Sequence, residues 1–213
     1  MATITKKKQR GRPAQSAAKK EEIRAKIVSV SKELFINEGF ENISIRKIAQ
    51  QAGCIPRTIY YYFENKRELL HYLWVDIFKT LSSECERAIK SLEAPLEIIH
   101  VIYTTYVNYW LAHRDQYRVI FMIEDLNATS NHDTAVLDMI KSSAKFIRIF
   151  EKAINDCIQN KVFKEKNTNR VVQVFFLSAH GLASGIITMR EMKWENPDAL
   201  IKSTLNALIT GLE

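Results

Sequence analysis

The chain has 213 residues, 46% of them hydrophobic and 26% charged, with only 6 Gly and 4 Pro. That balance suits one large domain or a small domain fused to a larger one, excludes a disordered chain and argues against a turn-rich β-sandwich or barrel. The net charge of +7 gathers at one end, since residues 1–70 hold 15 Lys/Arg against 7 Asp/Glu and residues 71–213 hold 16 against 17.

A basic segment joined to a neutral body fits a polyanion, nucleic acid or anionic membrane, at one end and another task at the other. The cysteines Cys54, Cys85 and Cys157 are odd in number and lack CxxC spacing, so no disulfide scaffold or zinc ribbon is expected, and a reducing cytoplasm is. The start, Met1 to Thr5 followed by lysines, has no apolar core of a signal peptide.

Residues 1–20 hold seven Lys/Arg and no acid, composition that predicts a flexible basic arm. Within it Arg10-Gly11-Arg12-Pro13 reads in two ways. Arg10 and Arg12 suit the narrow minor groove of A·T-rich DNA, or the segment is a solubilising tail.

From Glu21 the apolar period turns helical through Ile23, Ile27, Val30, Leu34 and Phe35 and stops at Gly39. A short helix is predicted from Ser44, a natural N-cap, to Gln51. Gly53 then makes a turn with positive φ, and a third helix spans Ile55 to Phe63. A long helix follows through Leu69, Leu73, Trp74, Ile77 and Leu81.

Further helices are predicted from Pro95 to about His113, from Asp115 to near Leu126, through Leu137 to Ile158, and over 171–189 and 197–212, with a polar loop at 127–133. The fold class is all-α with about nine helices. Residues 171–189 carry no charge and contain Gly181-Leu182-Ala183-Ser184-Gly185, which fits a membrane span by length and the GxxxG spacing of membrane helix pairs. Gln173, Ser178, His180, Ser184 and Thr188 insert poorly, so a soluble helix covered by its own domain and a partner subunit is preferred, with no membrane partner.

Two short helices around a Gly turn, 44–63, form a helix-turn-helix, which sets its second helix in the DNA major groove. At 100° per residue Ile55, Ile59 and Phe63 share a packed face, Arg57 and Tyr61 lie opposite, and Thr58 and Tyr60 flank them. Cys54 reads as a packing residue rather than a redox switch, and Arg46 lies near phosphate or on an ordinary solvated face.

The pattern Ile45-x-x-Ile48-Ala49-x-x-Ala52-Gly53, then Thr58-Ile59-Tyr60-x-Tyr62-Phe63-x-x-Lys66-x-x-Leu69, with Leu34-Phe35-x-x-x-Gly39-Phe40 upstream, resembles the TetR family of bacterial transcription regulators. The resemblance implies a DNA-binding domain over 21–81, a ligand-binding and dimerisation domain over 82–213, operator DNA as partner, and a homodimer through helices 171–189 and 197–212. It also implies that Ser44 touches phosphate, that Arg57, Thr58 and Tyr61 enter the major groove, and that Tyr60 and Lys66 hold the backbone. Departures are Ile55 where the family has a Ser or Thr cap, partly offset by Pro56 at the first helical position beside the DNA; Arg57 where many members have Gly; and Lys47 where an acid would complete a capping box.

In the neutral body Tyr103, Tyr106 and Trp110 fall at i, i+3 and i+7. With Phe121, Met122, Phe150, Phe176 and His180 as facing walls they form either a pocket for an unknown small-molecule effector or plain core. His180 either orients the ligand or closes a buried hydrogen bond. Ala179, Gly181, Ala183, Ser184 and Gly185 are expected to admit a partner helix, with Leu200, Ile201, Leu205, Leu208, Ile209 and Leu212 as the complementary stripe.

No Walker loop, HExxH, nucleophile elbow or pair of carboxylates on an apolar helix face is present. No catalytic residue, cofactor or metal ligand is therefore expected. The chain reads as a sequence-specific transcriptional regulator, a repressor released by an apolar or amphipathic ligand, working in the bacterial cytoplasm at the nucleoid. The alternative is an architectural DNA-binding protein without ligand control.

Overall fold

The computed structural model describes residues 17–122 and 134–213, with the side chains of 134–140, 142 and 143 excepted. Arg10, Arg12, Leu126 and the loop at 127–133 lie outside the described residues.

Nine helices and no strand occur among the described residues. They are α1 (Ala17–Glu38), α2 (Ile45–Ala52), α3 (Pro56–Tyr62), α4 (Lys66–Ile89), α5 (Pro95–Ala112), α6 (Arg114–Phe121), α7 (Thr134–Gln159), α8 (Thr168–Thr188) and α9 (Pro197–Leu212). The fold is all-α. Residues 17–20, expected in the basic arm, already belong to α1. The expected start of α6 at Asp115 moves to Arg114, and His113 provides no side-chain cap.

Local chemistry fixes the ends. Gly39 and Gly53 adopt φ +82 and +70, values a β-carbon resists. Asn65, Asn167 and Asn196 cap α4, α8 and α9 by accepting from the backbone N–H of Glu68, Arg170 and Asp198. Pro95 and Pro197 open α5 and α9, where proline lacks only an N–H that would have no helical partner.

Helices α1 to α3 form a small head whose core holds Ile27, Leu34, Phe35, Ile48, Ile59 and Phe63. The remaining helices form the body. Helix α4 belongs to both: Leu69, Leu70 and Leu73 are buried at its first turns and Ile77, Phe78, Leu81 and Cys85 further along. A boundary at residue 81 therefore falls inside one continuous helix about 36 Å long. Two more ties join head and α4. Arg24 of α1 donates to the Tyr72 hydroxyl, and Lys32 pairs with Asp76.

Helix α8 is long and apolar enough to cross a membrane. Here it packs against α5, α7 and α9, burying Val171, Phe175, Ala179, Ala183, Ile186 and Ile187. That packing corrects several expectations about the small residues. Ala179 and Ala183 are buried within the chain, and a β-carbon at Gly185 would lie 3.7 Å from the ring of Trp194. Likewise Ile201, Leu205 and Ile209 of α9 face the chain's own core. The open strip consists of Val174, Leu177 and Gly181 on α8 and Ser203, Ala207 and Gly211 on α9. A β-carbon at Gly181 or Gly211 would meet nothing within 4 Å.

Candidate nucleic-acid interface and effector cavity

Ser44 is extended and its hydroxyl accepts from the Lys47 backbone N–H at 3.2 Å, which starts α2. Gly53 ends it, donating to the Ala49 and Gln50 carbonyls. The chain re-enters a helix at Pro56 without a side-chain cap. One face of α3 is anchored by Ile59, fully buried, with Phe63 buried just beyond the helix end. The opposite face is open: Arg57 is exposed, as are Tyr60 at 59% and Tyr61 at 67%, while Thr58 is half-buried between them.

Ile55 does not join the packed face. It is 63% exposed, because as N-cap it has extended backbone (φ −95, ψ 154) and precedes the helix whose periodicity would turn it inward. Its apolar side chain instead lies beside Arg57 in a groove of about 800 Å³ between α1 and α3. Lys19, Lys20 and Lys26 of α1 line the same groove, and the Lys20 ammonium sits 5.9 Å from the Tyr61 ring centre. These three lysines were not singled out from sequence. Only the Lys19-Lys20 dipeptide signalled them, and it was assigned to the arm.

Other predicted residues take more definite positions. Lys66 is half-buried: its ammonium donates to the Phe40 carbonyl at 2.8 Å and the Ile43 carbonyl at 3.0 Å, and lies 4.0 Å from the Phe40 ring centre. Desolvation lowers its pKa, with Glu41 opposing. Lys47 pairs with Glu38 at the end of α1, so its charge is matched inside the head. Arg46, Ser44 and Arg57 are exposed along one side of the motif, and Pro56 is half-buried. Cys54 is half-buried against the core, and burial raises its thiol pKa despite Lys26 nearby. Burial also holds the Cys85 thiol up at about 12 and Cys157 at about 11.

In the body, a cavity of about 280 Å³ opens between α5, α7 and α8. Helix α5 supplies Ile102, Tyr103 and Tyr106; α7 supplies Phe146, Ile147, Phe150 and Glu151; α8 supplies Asn169, Val172, Gln173, Phe175, Phe176 and Ala179. Of the eight expected pocket residues, Tyr103, Tyr106, Phe150 and Phe176 line it. Trp110, Phe121, Met122 and His180 do not: Trp110 is fully buried, and Met122 is 49% exposed at the end of α6.

Three of those four instead build the layer behind the cavity. His180 Nδ1 is 3.2 Å from the Tyr106 hydroxyl and its Nε2 is 3.1 Å from the Tyr117 hydroxyl. In the neutral ring one nitrogen donates and the other accepts, so both phenols are satisfied. Desolvation lowers the His180 pKa. Phe121 packs edge-on to His180 at 4.6 Å, to Trp110 at 5.1 Å and to Trp74 of α4 at 5.7 Å. A cavity wall residue is thus linked through α8 to α6, which touches α1, and to α4, which leads into the head.

Residues 27–73 match the family profile described as bacterial regulatory proteins, tetR family. An HTH-type transcriptional regulator of Mycobacterium bovis is 33% identical over 69 residues, which cover 32% of this chain and 30% of that protein. The fatty acid metabolism regulator protein of Bacillus subtilis is 22% identical over 186 residues, 87% of this chain and 93% of that one. The structure of the Bacillus subtilis transcriptional regulator FadR in complex with stearoyl-CoA superposes with a TM-score of 0.67 at 20% identity, covering 89% of this chain and all of that one. The similarity to the mycobacterial regulator is confined to less than a third of its length.

Proposed function

We propose that this chain, a member of the TetR family of bacterial regulatory proteins, is a cytoplasmic, sequence-specific repressor that binds operator DNA as a homodimer and releases it when a small molecule fills the α5–α7–α8 cavity. The observation that carries the DNA half is the two-sidedness of α3: Ile59 is buried while Arg57, Tyr60 and Tyr61 project outward. Arginine makes bidentate contacts to guanine, phenols position the protein on phosphate or stack at the groove edge, and Ile55 offers a methyl-rich surface to thymine. Ser44, Arg46, Pro56 and Thr58 flank these groups, with Lys19, Lys20 and Lys26 extending the positive surface along α1. Arg10 and Arg12 would add minor-groove contacts.

The dimer would use the open strip of Leu177 and Gly181 on α8 with Ala207 and Gly211 on α9. Small residues let helices approach closely, and a twofold of four helices would set two α3 helices on half-sites about one duplex turn apart or more.

Release follows from the layer of His180, Tyr117, Phe121 and Trp74. A guest that moves Tyr106 disturbs the hydrogen bond to His180, and through it α6 and α4, on which the spacing of the two heads depends. A coupling of about 1–3 kcal/mol changes operator affinity roughly 5- to 150-fold. The ligand of the Bacillus subtilis structure, stearoyl-CoA, supports an amphipathic class of guest. An architectural protein without ligand control would have no use for an aromatic cavity joined to α4.

The test is selection of binding sites from random duplexes, followed by mobility-shift titration. An inverted repeat should emerge. Arg57→Ala should weaken it by about 1–3 kcal/mol with relaxed preference at one base per half-site. Equal affinity for unrelated duplexes would overturn the reading.

A further inference from the structure

The cavity between α5, α7 and α8 carries one charged side chain. Glu151 lines it beside the amides of Asn169 and Gln173, and no Lys, Arg or His does. Its carboxylate is half-buried and has no ion-pair or hydrogen-bond partner among the described residues. Glu86 and Glu165, on the surface of the same body, are paired with Lys145 and Arg170. The basic residues nearest Glu151 along α7 make no ion pair with it either. Lys152 beside it is exposed, and Arg148, one turn before it, lines with Lys145 a separate hollow against Lys79 and Ser82 of α4. Helix α7 thus gives Lys145 and Arg148 to the hollow against α4 and the Glu151 carboxylate to the cavity.

The walls next to that carboxylate are aromatic. Tyr106 and Phe146 stack with centres 5.6 Å apart, Phe176 lies 5.7 Å from Tyr106, and Phe150 meets Phe175 edge-on at 5.6 Å. The faces of such rings carry negative electrostatic potential and attract cations, most strongly where water is excluded. Glu151 is half-buried beside the exposed Asn169 and Gln173, so an anionic guest would set its charge against that carboxylate with no counter-charge in the lining. A cation gains both the carboxylate and the ring faces. The side-chain carbonyls of Asn169 and Gln173 add acceptors for an ammonium N–H and nothing that compels an anion.

We infer that the effector is a lipophilic cation, an amine or quaternary ammonium whose apolar body fills the aromatic cavity and whose positive end sits against Glu151. A volume of about 280 Å³ lies at the small end of ligand sites and suits a short alkyl chain or a compact ring system. The inference rests on the effector reading above and fixes the sign of the guest's charge. It separates this chain from the stearoyl-CoA ligand of the solved relative, whose phosphates would require Lys or Arg.

The experiment uses the full-length protein and a matched series of octyltrimethylammonium, octanol and octanoate, together with octanoyl-CoA, titrated by calorimetry. Octyltrimethylammonium should bind at least about 10-fold more tightly than octanoate. Glu151→Gln should remove most of that preference while leaving octanol affinity within about twofold, which also shows that the cavity of the variant is intact. Tighter binding of octanoate or octanoyl-CoA than of the cation, a preference that survives Glu151→Gln, or no binding of the cation at millimolar concentration would each overturn the inference.

Operator release is scored separately by mobility shift. A Glu151-dependent cation preference without release keeps the ligand class and defeats the switch, whereas release by octanoate or octanoyl-CoA without cation binding does the reverse.

Discussion

Lys66 directs two ammonium N–H groups at the carbonyls of Phe40 and Ile43, which closes the turn between α1 and α2 onto the start of α4. Family resemblance implies a phosphate contact for this residue, and one N–H remains for it, but the internal bonds give a separate consequence. Hydrogen bonds to charged groups contribute about 1.5–3 kcal/mol. Lys66→Met should therefore cost about 2 kcal/mol of stability and lower the thermal midpoint by roughly 4–8 °C for a chain of this size, measured by circular dichroism without DNA. An unchanged midpoint with weakened operator binding would assign Lys66 to phosphate alone.

His180 gives the second residue-level test. Its folded pKa is depressed by desolvation, so as pH falls the unfolded chain takes up a proton near the ordinary histidine value of about 6.5 before the folded chain does. Its contribution is intact above that value and is lost as pH falls toward the folded pKa. Melting between pH 7.5 and 5.5 should show a loss of stability, and His180→Gln should flatten part of it.

At the level of elements, the helix-turn-helix depends on Gly53, whose φ of +70 a side chain resists although space exists, the nearest atom to a β-carbon being Lys26 Nζ at 3.6 Å. Gly53→Ala should cost about 1–2 kcal/mol and weaken operator binding with it, because the same turn sets the angle of α3; Gly53→Asn, which tolerates this conformation, should retain more of both. Melting and mobility shift on the two variants decide it.

Such punctuation is what made the elements legible. Gly39, Gly53, Pro95 and Pro197 mark helix ends in the sequence as they do in the fold. Periodicity misled where it was extended past a helix end, as at Ile55, whose extended backbone removes it from the wheel. It also gave no depth along an axis. Tyr103 and Trp110 share a face of α5, yet seven residues separate them by about 10 Å. One borders the cavity while the other is sealed under Phe121 of α6. The unmatched Glu151 had no sequence signal, since the i, i+3 spacing from Arg148 suggests an ion pair, whereas in the fold Arg148 lines the hollow against α4.

For the whole molecule, the proposed function requires two heads to act together, and a single chain offers one face for that purpose. Leu177 is 67% exposed, one turn before the open surface at Gly181. It touches little in its own chain, so Leu177→Arg should leave the helical circular dichroism signal and the affinity for a single half-site unchanged. In the dimer the same arginine would be buried against its twofold copy, an unpaired charge at a close helix contact. Sedimentation at micromolar concentration should then give a monomer. Affinity for the full operator should fall by about 10²- to 10⁴-fold, because linking two half-site interactions raises the effective concentration of the second without any new contact. If Leu177→Arg still sediments as a dimer with full operator affinity, the heads are paired through another surface, and the route from cavity to head spacing must run through that surface.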